Sequence, residues 1–569
     1  MPHSFRQLLS VSGRPVWWSV LLGVALGLAC PVRAQVDLGP LRLRGSFGLA
    51  TQAYAAAGIA NRRAPTSAEA FANLSFNLYG LRSGLNLTYS TDQSRLRQNV
   101  NRLAFDTRWA SGRVAAGDVS PTFSEYSLSG ATVRGGYVEW SPGPVLLGVV
   151  AGRARRAVDF SEGEGFREPS YRRMLYGGRL GVGEARRTHL HLIGLYGRDL
   201  ASSIDRAGDL APVENLTLTA DGGLRLLGGR VRLQGEVTAS AFTPDTRNDA
   251  LDAGEAVPAF FDPFFTPREG TSLDYAGGGD LRLALRVVDL LLGYSRVQPG
   301  FQSLGVERLR PDQETVRVQP RARLLEGRLV LGGSFSRARN NLADQLLATL
   351  TRTQIGLTAQ VRLSSSLAVS SSYTRLSNRN TPAATADAER LDLEQVAQTV
   401  MLAPVLTLTG GALTHTVSLA GTYQTSADRS LAVERGLRPA NTIDNVSATL
   451  GYAVQLPSGL SLTAAGNLVC SDAAMSELTV LGANLGGGYT LGALNLSLTG
   501  GWSRSDATIH LADGPVPSVS SQLMTALNAS YRFPGATTLR LNLRGLRNRP
   551  DVGDAFSEGQ ATLRYEYRF

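Results

Sequence analysis

The chain has 569 residues, 43% of them hydrophobic and 18% charged, with 62 glycines and 25 prolines; this is too apolar, and too low in Gly plus Pro, for a disordered or low-complexity protein. The formal net charge is +10 and every basic residue is Arg. The arginines are spread over many segments with no helix pattern or zinc-ligand set beside them, which argues against a nucleic-acid partner. Beyond the N-terminus no run of 18 apolar residues occurs, which excludes membrane-spanning helices but not membrane-spanning strands.

Residues 1–34 have the three parts of a secretory signal peptide. Arg6 and Arg14 supply the positive region, and residues 16–29 (VWWSVLLGVALGLA) an apolar core too short to span a bilayer comfortably. Val32 and Ala34 stand at the −3 and −1 positions, so cleavage is expected before Gln35. A lipoprotein signal modified at Cys30 is the competing reading, with Gly27-Leu28-Ala29 a poor match to it. Cys30 and Cys470 are the only cysteines, so the exported chain holds one thiol and no internal disulfide.

From Gln35 onward the chain alternates apolar and polar residues, the period of strands with two unlike faces. Leu41-Arg42-Leu43-Arg44 opens the series, the stretches at 231–238 and 316–319 continue it, and those at 539–544 and 563–569 close it. Short turns are expected at 80–84, 110–112, 141–144, 183–186, 227–229, 325–327, 410–411, 456–459, 491–493 and 533–535. Longer polar loops fall near 57–67, 119–130, 156–170, 199–213, 242–270, 298–313, 339–349, 377–392 and 425–441. Short turns on one rim and long loops on the other predict an all-β fold: a single transmembrane antiparallel β-barrel of about 24–26 strands filling residues 35–569. The periplasmic rim would carry the turns and both termini, and the extracellular rim the loops. A soluble sandwich or propeller is the alternative, but no blade repeat is present.

Hydrocarbon tolerates no charge on the outer face, where each costs roughly 2–4 kcal/mol near the midplane. The arginine rows are therefore expected to line the lumen: Arg317, Arg321 and Arg323 on one strand, Arg540 and Arg544 on another, Arg564 and Arg568 on the last. Glu236 and Glu566 are candidate partners. Between 391 and 531 the inward rows become Thr, Ser and Asn, so one wall would be basic and the other neutral. The bland role of such arginines is bracing a wide barrel; the functional one is a path for anions.

Alternation begins at Leu41, leaving no room for an N-terminal plug. Loop 242–270, with Phe260, Phe261, Phe264 and Phe265, is the expected lumen gate or surface-partner loop. Its Asp245, Asn248, Asp249, Asp252 and Glu255 resemble a worn calcium loop, although Arg247 and Ala250 stand where an oxygen ligand and a Gly are needed; a solvated acidic loop without any cofactor is the alternative. His189 and His191 share a strand face and could pair on a metal, but the sequence indicates no third ligand. No nucleophile elbow, phosphate loop or metalloprotease helix occurs, so catalysis is not expected.

Leu563, Tyr565, Tyr567 and the terminal Phe569 resemble the C-terminal β-signal of bacterial outer-membrane proteins, which implies outer-membrane lipid and the barrel-assembly machinery as partners. Residues 212–216, 299–305 (PGFQSLG) and 339–342 (RNNL) resemble stretches of large uncharacterised barrels of Bacteroidota and relatives. That resemblance implies the barrel fold and no activity. The expected function is a porin-like channel for small, anionic solutes in a Gram-negative outer membrane. The alternative is the barrel of a secretion or assembly translocon with periplasmic or surface protein partners.

Overall fold

A computed structural model describes residues 36–38, 41–91, 102–160, 169–184, 187–252, 258, 264–384, 391–437, 439–511 and 513–569. The expected signal peptide lies outside them. One antiparallel sheet contains every long strand, each hydrogen-bonded to the next along the chain. The first long strand, Leu41–Ala57, also pairs with the last, Phe556–Arg568, in register from Ser46↔Arg568 to Ala57↔Ser557. That pairing closes the sheet into a barrel of 26 strands, the upper end of the expected number. A three-residue strand, Val36–Leu38, folds back on Leu41–Leu43 and takes no part in closure. No helix among the described residues is long and apolar enough to cross a membrane.

The turns that hold the rim bearing the C-terminus are tight and chemically specified. Leu-Gly-Gly at 227–229 and Leu-Glu-Gly at 325–327 adopt nearly the same backbone, with three successive residues at positive φ. Each sequence places Gly third, at φ +91° and +87°, where a side chain would be strained. Connections on the opposite rim are long for most of the barrel and shrink late in the chain, at 474–475, 512–513 and 551–555.

Period-2 alternation separates the two faces. In His189–Leu200 the odd positions His189, His191, Ile193 and Leu195 are buried, whereas Leu190 and Leu192 are 56% and 60% exposed. Leu180, Val182, Leu224, Leu226, Leu233 and Val237 extend this exposed band on neighbouring strands. Aromatic side chains flank it, with Phe76, Phe105, Trp140 and Tyr531 toward the turns and Tyr89, Tyr196 and Tyr275 toward the loops. A continuous apolar belt edged by aromatics is a surface suited to hydrocarbon and headgroups, not to water.

Candidate functional site in the lumen

The inner face carries an internal core, and two inward-folded loops make it. Segment 120–132 follows the strand Gly112–Val119, and segment 298–312 follows Val288–Val297. Leu128–Ser129 of the first pairs in parallel with Gly305–Val306 of the second, so two loops far apart in sequence form one layer against the wall. Phe123, Leu128 and Ala131 pack on inward Val133, Tyr137, Val150, Leu175, Ile193 and Leu195. Tyr126 meets Phe301 edge-on at 6.4 Å, over Ala276 and Val297. Burial beside Glu125 and Glu236 pushes the Tyr126 phenol up to about 12, so it remains a hydrogen-bond donor at neutral pH. Gly305 is required where the layers touch, because a Cβ there would lie 2.3 Å from the Ser127 carbonyl oxygen.

Buried Asn215 clips this layer to the barrel. Its Nδ2 donates to Ser240 Oγ at 2.8 Å, the Ala241 carbonyl at 2.9 Å and the Gln302 carbonyl at 3.3 Å. Its Oδ1 accepts the Leu304 N–H at 3.2 Å. Ser240 Oγ also reaches the Gln302 carbonyl, and Ser303 Oγ donates to the Ser127 carbonyl at 2.8 Å. At the next connection Asp312 accepts the backbone N–H groups of Asn341 and Leu342 at 2.8 and 2.7 Å. The stretches 212–216, 299–305 and 339–342 noted in the sequence are thus the pins of the inner layer.

The strand register carries the inner face around the barrel and places every arginine singled out from the sequence on it. Arg317 meets Asp280 at 3.4 Å, and Arg323 reaches Asp289 at 4.0 Å. Arg321 stands directly across from Asp289 in register. Arg540 and Arg568 share Glu566, at 3.9 and 2.7 Å. Arg564 lies 4.2 Å from the centroid of the Phe71 ring, and Arg544 faces Gln560 across the ladder. Arg179–Glu139, at 2.7 Å, continues the belt. From 393 to 530 the inner rows are almost wholly neutral, with Thr414, Thr416, Ser418 and Thr422 among them. The lumen therefore has a charged, loop-coated sector and a bare neutral one.

Near the turns, alternation did not foretell which arginines would face one another. Arg225, Arg232 and Arg282 stand in direct cross-strand register on three neighbouring strands. Among the described residues no carboxylate forms an ion pair with any of the three. Arg82, Arg108 and Arg113 form a second such row, with Asp106 paired to Arg108 and Arg113.

The described arms of loop 242–270 follow the outward alternative and do not enter the lumen. Phe265 is buried against Leu216 and Ala241, with Tyr196, Leu218, Ala239 and Leu273 around it. All six are on the opposite face of their strands from Asn215 and Ser240, so Phe265 seals onto the outside of the wall. Phe264 is 70% exposed; Phe260 and Phe261 lie outside the described residues, as does Glu255. Among the described residues the inner face is covered by 120–132 and 298–312, whose apolar residues match the inward apolar patch. Deleting 244–268 should accordingly leave single-channel conductance unchanged, which a planar-bilayer recording checks.

Among the described residues, Asp245, Asp249 and Asp252 form no metal-binding group, and Glu255 lies outside them. Asp245 is held by Arg247, Nη2 to Oδ2 at 2.6 Å and Nε to Oδ1 at 2.8 Å, and this pairing keeps its carboxyl below the usual range. Asn248 Nδ2 donates to the Glu269 carbonyl, and the Asp249 carbonyl accepts the Glu269 N–H. Among the described residues one set of side chains has metal-binding geometry: His189, His191 and Asp221. Asp221, absent from the sequence reading, is brought opposite His191 by the strand register. It shares with Glu125, Tyr126, Glu236, Asp280 and Arg317 a recess of about 210 Å³ beneath the inner loop.

No family model matches the sequence, and no curated protein matches it, so the resemblance to Bacteroidota barrels gains no relative. Solved structures of outer-membrane proteins are similar at a distant level. OccAB2 of Acinetobacter baumannii is 10% identical over 63% of this chain and 92% of its own, with a TM-score of 0.29. OpdK of Pseudomonas aeruginosa, solved with vanillate, is 11% identical over 63% and 93%, TM-score 0.30. OccK10 (OpdN) of the same organism is 14% identical over 67% and 98%, TM-score 0.30. Likeness at this level assigns neither family nor function to this chain.

Proposed function

We propose that this protein is an outer-membrane channel for small anionic solutes, with its turns and termini on the periplasmic side. The closed wall and its apolar belt support a place in a bilayer. An ion-pair brace would alternate signs across the ladder, because like charges directly opposite are destabilising. The row Arg225–Arg232–Arg282 does the reverse, with no ion pair to a carboxylate among the described residues, and this row carries the reading. At a lumen mouth such a row raises the local concentration of anions and lowers that of cations.

The test is reversal potential in a salt gradient across a planar bilayer. Wild-type barrel should be anion-selective, and the triple variant Arg225→Gln, Arg232→Gln, Arg282→Gln should move strongly toward no selectivity while still conducting. Cation preference in the wild type, or a selectivity indifferent to the three substitutions, overturns the anion reading. A correctly folded barrel that conducts nothing overturns the channel reading and favours a translocon subunit, to be sought by mild-detergent co-purification.

A further inference from the structure

We infer that His189, His191 and Asp221 form a binding site for a first-row divalent transition ion of the zinc type, set in the lumen wall beneath the inner loop. This inference is independent of the channel reading. His189 Nε2 lies 3.1 Å and His191 Nδ1 3.3 Å from Asp221 Oδ2, and the three ligand atoms lie within 4.8 Å of one another. Ligands on a tetrahedral zinc, at bonds of about 2.0–2.2 Å, stand roughly 3.3–3.5 Å apart. The wall thus already holds three donors near the spacing the ion requires.

Ring orientation points the same way. The other nitrogen of each imidazole faces a backbone carbonyl: His189 Nδ1 meets Arg187 O at 3.0 Å, and His191 Nε2 meets Gly183 O at 3.5 Å. When each ring gives its N–H to that carbonyl, both bare nitrogens converge on a carboxylate oxygen, an arrangement that is repulsive without a cation between them. An outer hydrogen bond to a carbonyl is what fixes and orients a metal-bound histidine. Both rings are buried and lie 4.7 Å apart.

A second observation concerns Glu236. It stands directly across the ladder from Asp221, and its Oε1 is buried without a hydrogen-bond partner. Two carboxylates face to face in one recess, one with an orphaned oxygen, are balanced by a cation. Arg317, which also lines the recess, reaches Asp280, and Arg179 is engaged by Glu139. The open coordination position would face the recess and Glu236. Two imidazoles and one carboxylate suit zinc, nickel or copper, and are a poor set for calcium or magnesium. Glu236 Oε2 accepts the Glu125 N–H at 3.3 Å, so the ion would stiffen the foundation on which the inner loop rests.

Chelator-stripped, refolded barrel titrated with Zn²⁺ and with Co²⁺ tests the site, with folding of every variant checked by heat-modifiable migration. Wild type should bind one Zn²⁺ per chain, and its Co²⁺ form should show the intense visible bands of tetrahedral coordination. His191→Ala and the near-isosteric Asp221→Asn should each weaken Zn²⁺ binding at least tenfold and abolish those bands. Wild-type binding no tighter than that of a folded His189→Ala, His191→Ala double variant overturns the inference. So does a Co²⁺ spectrum unchanged by the substitutions, which would place the ion elsewhere on the chain.

Discussion

Excising residues 121–131 and bridging the gap with a short Gly-Ser link should raise single-channel conductance several-fold. Segment 120–132 is half of the layer that coats one sector of the lumen, and its Leu128–Ser129 strand is the seat of Gly305–Val306. Losing it removes the partner of segment 298–312, so both halves should leave the wall. A milder version of the experiment changes one side chain. Asn215→Leu deletes four hydrogen bonds; the Gln302 carbonyl keeps Ser240 Oγ, but the Leu304 N–H loses its acceptor, a cost of about 1–3 kcal/mol for a buried group left unpaired. The barrel ladder does not depend on these bonds, so assembly should survive. The expected result is a noisy channel that switches between the wild-type level and the larger one. Steady wild-type conductance in both variants would mean that the inner layer does not limit the open cross-section.

The barrel was legible in the sequence because its evidence is local. Alternation at period 2 needs only one strand to be seen, and Gly-containing turns such as 227–229 and 325–327 announce themselves. Two turns went unseen for a physical reason. Residues 285–287, Leu-Arg-Val, contain no turn-forming residue, and 363–366 is built by Ser364 Oγ accepting the N–H groups of Ser366 and Leu367, a local device that Ser-rich strands also offer. What could not be read was register between distant segments. Asp221 meets His191, and Arg225 meets Arg232, only once neighbouring strands are aligned. The aromatic loop 242–270 drew attention by composition, whereas the layer seen on the inner face was marked more quietly by Phe123, Tyr126, Leu128 and Phe301. Inward and outward loops look alike until the wall's own apolar patch, centred on Ile193 and Leu195, shows which one it complements.

Deletion of the terminal Phe569 should abolish most correctly assembled barrel, and the reason lies at the seam. Every other neighbouring pair of barrel strands is joined by a connection that keeps the two together during folding. The first and last strands are joined only through the rest of the chain, so closing them carries the largest loop entropy in the molecule. Phe569 reinforces that closure at its end. Its backbone N–H and carbonyl exchange hydrogen bonds with Gly45 at 2.9 and 2.8 Å, and its ring stacks 6.0 Å from Tyr567, which in turn lies 5.3 Å from Phe47 of the first strand. Leu563 and Tyr565 continue the outward row opposite Thr51 and Leu49. On the inner side Arg568 and Arg540 hold Glu566. Removing the residue loses two ladder bonds together with the contacts of a half-buried aromatic ring, whose full burial would be worth about 1.5–3 kcal/mol, where cooperation from a covalent turn is absent. Phe569→Tyr keeps both backbone bonds and the ring and should assemble nearly as wild type, and Phe569→Ala should fall between. Heat-modifiable migration of membrane fractions measures all three. Equal yields of compact barrel from wild type and deletion would show that closure is complete without the last residue, and would remove Phe569 from any role as an assembly signal.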